Sequence, residues 1–235
     1  HVSLMPSRIF HPDFKARPFW WEAYAPETLA PIDLPKETRV AIIGAGYAGL
    51  SAALALNDAG LDCILLDAND PGFGASTRNG GMVSGGVNVA KRYFAKPLSA
   101  EEAVPFLTDA ADAFAHVEDL IARENIACHW TKAGYFLGAW CNAHYRTMEK
   151  KVQALNADAR PGTYIVPAAR QRDEIGSDYY RGGMVVERAA HIHPALYFKG
   201  LFDVIRRRNI PVAAKTPVTN LVQSGSGWTV ETPRG

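Results

Sequence analysis

A short β-branched run, Val40-Ala41-Ile42-Ile43, passes directly into Gly44-Ala45-Gly46-Tyr47-Ala48-Gly49, and this stretch limits the possible folds most strongly. Apolar residues then recur at helical spacing (Leu50, Ala53, Leu54, Leu56) up to Gly60. A second apolar run, residues 63–66, ends on Asp67. Strand, glycine turn, helix, strand, acid is the opening βαβ unit of a dinucleotide-binding domain. Gly44 permits the tight turn, Gly46 lets the backbone approach a pyrophosphate, and Gly49 lets the helix pack close to the strand. The helix N-terminus offers amide N–H groups and a positive dipole end to phosphates. Asp67 stands where a carboxylate accepts hydrogen bonds from ribose hydroxyls, and its charge disfavours a 2′-phosphate.

The next residues depart from a nicotinamide-binding pattern. Where a helix is expected after the second strand, the chain reads Asn69-Asp70-Pro71-Gly72-Phe73-Gly74-Ala75-Ser76-Thr77-Arg78-Asn79-Gly80-Gly81, with Gly85-Gly86 close behind. So many glycines mean loop, with backbone free to meet a ligand. Arg78 adds a cation, and Ser76, Thr77 and Asn79 add short polar side chains. A second loop of this kind suits a cofactor that extends far beyond one pyrophosphate, as FAD does.

Whole-chain properties remove other classes. A net charge of +1 gives no electrostatic case for nucleic acid or acidic membranes. Three cysteines (Cys63, Cys128, Cys141) form no CxxC pair and suit a reducing compartment, so a cytoplasmic location is expected. No apolar run approaches the ~18 residues of a membrane span. The first residues, HVSLMPSR, lack a signal-peptide pattern, and those before Met5 read as an appended remnant.

Residues 1–38 form an arm rich in aromatics (Phe10, Phe14, Phe19, Trp20, Trp21, Tyr24) and prolines, which forbid a long helix. Burial of the aromatics requires the arm to lie across the domain surface or a partner subunit. A long helix is expected over 99–125, opened by a Ser99/Glu102 capping box, with Val104, Leu107, Ala111, Phe114, Val117 and Ile121 as its core stripe. Pro105 is expected to kink or restart it. Residues 126–131 and 135–140 read as strands, 142–157 and 168–175 as helices, and 183–187 as a strand. Pro194 opens a helix over 193–208, and 210–213, 218–222 and 228–232 read as strands, the last two as a hairpin.

Other candidate chemistry is thin. His191 and His193 lack nearby carboxylate or cysteine partners for a metal, and an N-cap or structural role fits better. Cys128-His129 has no third group to make it a nucleophile. Ser76 lies outside a GxSxG elbow. Asp173, Glu174 and Asp178 read as solvated charges.

Taken together, VAIIGAGYAGLSAALAL (40–56), LLDAN (65–69), GFGASTRNGGMVSGG (72–86), NIACHWTKAGYFLGAW (125–140), HIHPALYFKGLFDVIRRRNIPV (191–212) and TPVTNLV (216–222) resemble the FAD-dependent oxidoreductases of the D-amino-acid oxidase/glycine oxidase superfamily. Within it the chain is similar to the γ-glutamylputrescine oxidase-like branch, where FWWEAYAP (19–26) also has a counterpart. The resemblance implies an α/β fold: a Rossmann-like FAD-binding domain with a parallel sheet, and an incomplete α+β substrate domain. It places FAD binding in 39–98 and 191–235, and the start of the substrate domain in 99–190. The residues it implies around FAD are Gly44, Gly46, Tyr47, Ala48, Gly49, Asp67, Ala68, Gly74, Ala75, Ser76, Arg78, Asn79, Gly80, Gly81 and Val218, the last through its backbone at the adenine. Asp67 stands where the family more often has Glu, and Thr77 where the branch often has Gly.

The implied activity is oxidation of the C–N bond of an amine or amino acid, with hydride passing to flavin N5 and electrons to O2, giving H2O2, or to another acceptor. Family members are nearly twice this length, so the chain reads as the N-terminal part of such an enzyme, without assignable catalytic residues and inactive or weak in FAD retention alone. The rival readings are an amine dehydrogenase feeding a quinone or carrier, a non-catalytic nucleotide-binding fragment, and an NAD-dependent dehydrogenase, against which the second loop argues.

Overall fold

The computed structural model describes residues 9–84, 99–158 and 162–235. Pro6, the segment before Met5, Gly85, Gly86 and Pro161 lie outside them, as do the side chains of Val104, Leu107 and Ala111. The chain forms two compact units, His1–Arg78 with Asn209–Gly235, and Asn79–Arg208.

The first unit is built on β1 (Val40–Ile43), α1 (Tyr47–Asp58) and β2 (Cys63–Leu66), with the boundaries the residue pattern requires. β1 and a later strand, β8 (Val212–Ala213), flank β2, both parallel to it. All four residues of β2 are buried, as expected of a central parallel strand covered on both faces. Ile64 and Leu66 pack with Ala213 beneath Ile32 and Leu34 of the arm and Val218 and Val230. Strand alternation leaves Cys63 and Leu65 for the face covered by α1, whose Leu50, Ala53 and Leu54 are buried. The arm thus lies across its own unit, with Tyr24 in the core. The expected hairpin is β9 (Asn220–Ser224) with β10 (Gly227–Glu231), antiparallel and exposed on nearly every residue.

Within the second unit, β3 (Met82–Ser84) pairs antiparallel with β7 (Ala189–His191). A three-stranded antiparallel sheet has the order β4 (Tyr135–Gly138), β6 (Gly183–Val186), β5 (Thr163–Val166). Ala139, Met184 and Val186 form its core with Met148 and Val152 of α3 (Asn142–Asp158). Helix α2 (Ala100–Arg123) begins at the Ser99/Glu102 capping box and buries Phe114, Leu120 and Ile121. Helix α4 (Pro194–Arg207) is amphipathic, burying among others Phe198, Leu201, Phe202 and Ile205. Glu124 stitches the ends of these two helices, 2.6 Å from Arg208 and 3.5 Å from Arg207.

Several sequence expectations are corrected. Pro105 does not restart α2, which is helical without interruption from Ala100 to Arg123. The proline removes only the bond to the Glu101 carbonyl, near an exposed helix end. Residues 126–131 are not a strand. They alternate buried and exposed as a strand does, but Asn125 and His129 have positive φ (52° and 55°), and only Thr131 bridges, to His191. The loop at 72–86 holds a 3-10 turn, Ala75–Thr77, and then β3. The strand expected over 210–213 is reduced to Val212–Ala213 by Pro211, and that over 218–222 shifts to Asn220–Ser224. β5 and β7 were not foreseen.

Candidate functional site

The glycine turn adopts the geometry its residues require. Gly44 has φ +95°, in the left-handed region that β-carbon sterics deny to most residues. A Cβ on Gly49 would lie 1.9 Å from the Gly44 carbonyl oxygen, so only glycine lets α1 seat this close. Gly46 is the N-cap of α1 and supplies no side-chain cap, and the first turn carries no acidic residue. The first intrahelical bond runs from Leu50 N–H to the Gly46 carbonyl, 2.9 Å. Among the described residues, no acceptor meets the amides of Ala48 and Gly49.

The second loop docks on this turn. Ser76 Oγ accepts the Tyr47 N–H at 3.0 Å, and a Cβ on Gly46 would lie 2.9 Å from that oxygen. Asp67, at the end of β2, accepts the Ala45 N–H at 2.8 Å through one carboxylate oxygen and the Asn69 N–H at 2.9 Å through the other. A carboxylate has about four lone-pair sites, so Asp67 braces the glycine turn and still has acceptor capacity for ribose hydroxyls. The Asp67 carbonyl accepts the N–H of buried Thr216 at 2.7 Å, which sets the course of the chain into Val218, half-buried against the Ile64–Leu66–Ala213 cluster.

Arg78 is not a bare cation: its guanidinium carbon lies 4.6 Å from the Trp21 ring centre and 4.4 Å from that of Phe73. Ala68, Gly74 and Ala75 are exposed along the same loops. The structure therefore brings Gly44, Gly46, Tyr47, Ala48, Gly49, Asp67 and Ser76 together around one helix N-terminus. Asn79, Gly80 and Gly81 belong to the second unit. There Asn79 Oδ1 accepts the Gly81 N–H at 2.8 Å, and the Gly81 carbonyl accepts the Ile192 N–H at 2.8 Å, while Gly80 is exposed. The residue pattern alone does not show the Trp21–Arg78–Phe73 cluster. The signal was the aromatic density of the arm, read only as packing.

The remaining candidates resolve into structure. His193 Nδ1 accepts the Leu196 N–H at 3.2 Å as the N-cap of α4, with Pro194 at its first position. Burial, reinforced by the His129 ring 5.8 Å away, holds the His193 imidazole below its ordinary pKa. His191 is exposed on β7. Cys128 is buried, its thiol pushed up by that burial, and its carbonyl accepts the His193 N–H. Asp173 pairs with Arg170, Asp178 with Arg172, and Glu174 accepts the Tyr164 hydroxyl, all exposed. Among the described residues, no three His, Cys, Asp or Glu side chains group to hold a metal, and no helix is long and apolar enough to cross a membrane.

A parallel βαβ unit with an open helix N-terminus, a bracing acid and a docked second loop defines a dinucleotide-binding protein. The chain belongs to the FAD dependent oxidoreductase (DAO) family, whose sequence model matches residues 39–235. It is 29% identical to the gamma-glutamylputrescine oxidoreductase of Escherichia coli over 209 residues, 88% of this chain and 49% of that protein. It is 26% identical to the probable oxidoreductase OrdL of Haemophilus influenzae over 208 residues, 87% of this chain and 47% of that protein. The chain thus spans about half the length of these curated relatives. Among solved structures, glycine oxidase from Geobacillus kaustophilus has the same fold, with a TM-score of 0.66 at 17% identity over 83% of this chain and 51% of that one. FAD is the cofactor of the family, and the residues fit it: free amides where a diphosphate would sit, and an acceptor where a ribose would.

Proposed function

We propose that the full-length protein oxidises the C–N bond of an amine or amino acid, with FAD bound on the glycine turn. One observation carries the reading: the second loop sits on the N-terminus of α1 through Ser76 and Tyr47, an arrangement that, in a chain of this family, supports a flavin site. The similarity to a gamma-glutamylputrescine oxidoreductase supports an amine substrate.

In this reading the Ala48 and Gly49 amides hold the diphosphate, Gly44 and Gly46 keep side chains out of its path, and Asp67 receives the adenosine ribose. Val218 lines the adenine through its backbone. Ala68, Gly74, Ala75, Ser76, Arg78, Asn79, Gly80 and Gly81 continue the cradle. FAD, when bound, supplies the redox chemistry, accepting two electrons from the substrate and passing them on. The chain's own work is binding, orientation and charge placement. FAD binding is assigned to 39–98 and 191–235, with 99–190 beginning the substrate domain. That functional division differs from the contact division because α4 and residues 79–81 pack within the second unit. O2 is the proposed acceptor, giving H2O2. The free thiols of Cys63, Cys128 and Cys141 support a cytoplasmic protein.

The visible spectrum of the purified full-length protein tests the reading. A flavin chromophore that bleaches with an amine is expected; no chromophore, even after added FAD, rejects it. Sluggish reoxidation by O2 in stopped flow would favour a dehydrogenase that feeds a quinone or carrier.

A further inference from the structure

Trp21 sits on a 3-10 turn, Phe19–Glu22, and its indole N–H donates to Thr77 Oγ1 at 2.7 Å. Thr77 is fully buried, and its hydroxyl donates in turn to the Gly72 carbonyl at 2.7 Å. One hydroxyl therefore closes the loop on itself and ties it to the arm. The Arg78 guanidinium also rests against the Trp21 ring and the Phe73 ring, whose planes are tilted 52° to each other. At the other end of the loop, Thr28 Oγ1 and the Leu29 N–H donate to the Asp70 carboxylate at 3.2 and 3.4 Å. The arm grips the loop at both ends.

General apolar packing does not account for this. Phe10, Phe14 and Phe19 of the same arm remain 55%, 55% and 72% exposed. Trp21 instead makes a directed contact, and it falls beside the residue that meets α1. Thr77 is bonded in sequence to Ser76, whose Oγ accepts the Tyr47 N–H. A shift of Thr77 moves Ser76 off the helix N-terminus.

We propose that Trp21 is a positioning residue of the FAD site: by holding Thr77 and Arg78 it fixes the second loop against the N-terminus of α1. The proposal rests on the reading that this loop and the glycine turn hold FAD. It also gives Thr77 a role. The hydroxyl is the part of the loop that the arm can grasp, which a glycine there would lack.

The test uses the full-length protein and two readouts. FAD is titrated into apoprotein by fluorescence, and amide exchange of Phe73 and Arg78, which donate to the Asp70 and Ala75 carbonyls, is followed without FAD. Trp21→Phe keeps a six-membered ring for Arg78 and loses the N–H together with the five-membered ring that carries it. It should weaken FAD binding about fivefold, the worth of one hydrogen bond, and speed exchange of both amides. Thr77→Val loses the bond to the Gly72 carbonyl as well and should weaken binding at least as much, and the double variant should be no weaker than Thr77→Val alone, which already lacks the bond that Trp21→Phe removes. Thr77→Ser keeps the hydroxyl and should restore affinity to within about twofold of wild type, which a purely space-filling role would not predict. Phe19→Ala should change neither readout. If Trp21→Phe does not fold, the Thr77 pair carries the test. Unchanged affinity and exchange in Trp21→Phe, or Thr77→Val matching Thr77→Ser, would overturn the proposal while leaving the FAD site standing. Wild-type protein that takes up no FAD would overturn both.

Discussion

Helices α1 and α4 begin in opposite ways. α4 is closed: His193 accepts the Leu196 N–H, and Pro194 has no amide to satisfy. α1 is open: Gly46 has no side chain to offer, Ser76 from another loop meets the Tyr47 N–H, and Ala48 and Gly49 donate to no acceptor among the described residues. The closed helix spends its first turn on its own stability, whereas the open one keeps donors and dipole for a bound anion. The same contrast separates the two close-packed helical glycines. On α4 a Cβ at Gly200 would meet the buried Ile126 side chain at 2.3 Å; on α1 a Cβ at Gly49 would meet backbone at 1.9 Å.

That contrast is most easily broken at Gly49. Gly49→Ala should cost about 3 kcal/mol in urea unfolding, the upper end for overpacking, and abolish FAD binding. Gly200→Ala should cost less than half of that and leave FAD affinity unchanged. Equal costs would mean that the two seats are not different in kind. Asp67→Asn comes next. It replaces one of the two bracing oxygens with a donor and removes the charge. About tenfold weaker FAD binding is expected by titration, equivalent to about 1.4 kcal/mol.

His193 gives the smallest effect and the clearest sign. Its folded pKa is lowered, chiefly by burial. The unfolded chain therefore binds the proton more readily, and stability falls as pH drops through the ordinary histidine value of about 6.5 toward the folded one. Above that range the contribution is complete. His193→Ala should cost about 1 kcal/mol through the lost cap, leave FAD binding unchanged and flatten this part of the stability–pH curve. His193→Asn should flatten it while keeping the cap. A curve unchanged in both variants would remove His193 as its origin.

Legibility followed the range of the interactions involved. β1, α1 and β2 could be read from residues because their determinants are local: an apolar run, glycines whose spacing has one geometric solution, then helical periodicity. The Ser99/Glu102 box and the Pro194 start are equally local. Residues 126–131 misled because their burial alternates as a strand's does, while the positive φ of His129 leaves a single bridge, Thr131 to His191, in place of a ladder. β5 and β7 depend on pairing with β6 and β3, a tertiary fact. At the site, the glycines and Asp67 were legible, but the bracing of Ala45 by Asp67 and the hold of Trp21 on Thr77 were not. Both join residues far apart in the chain through single side-chain atoms.

The Glu124–Arg208 bond spans 84 residues of sequence. Bringing its ends together costs chain entropy, and contacts of this range slow the folding of a chain that depends on them. The clasp at the ends of α2 and α4 therefore closes a long loop. The second unit completes itself there, with α3 and the three-stranded sheet lying in the stretch of chain that the clasp encloses.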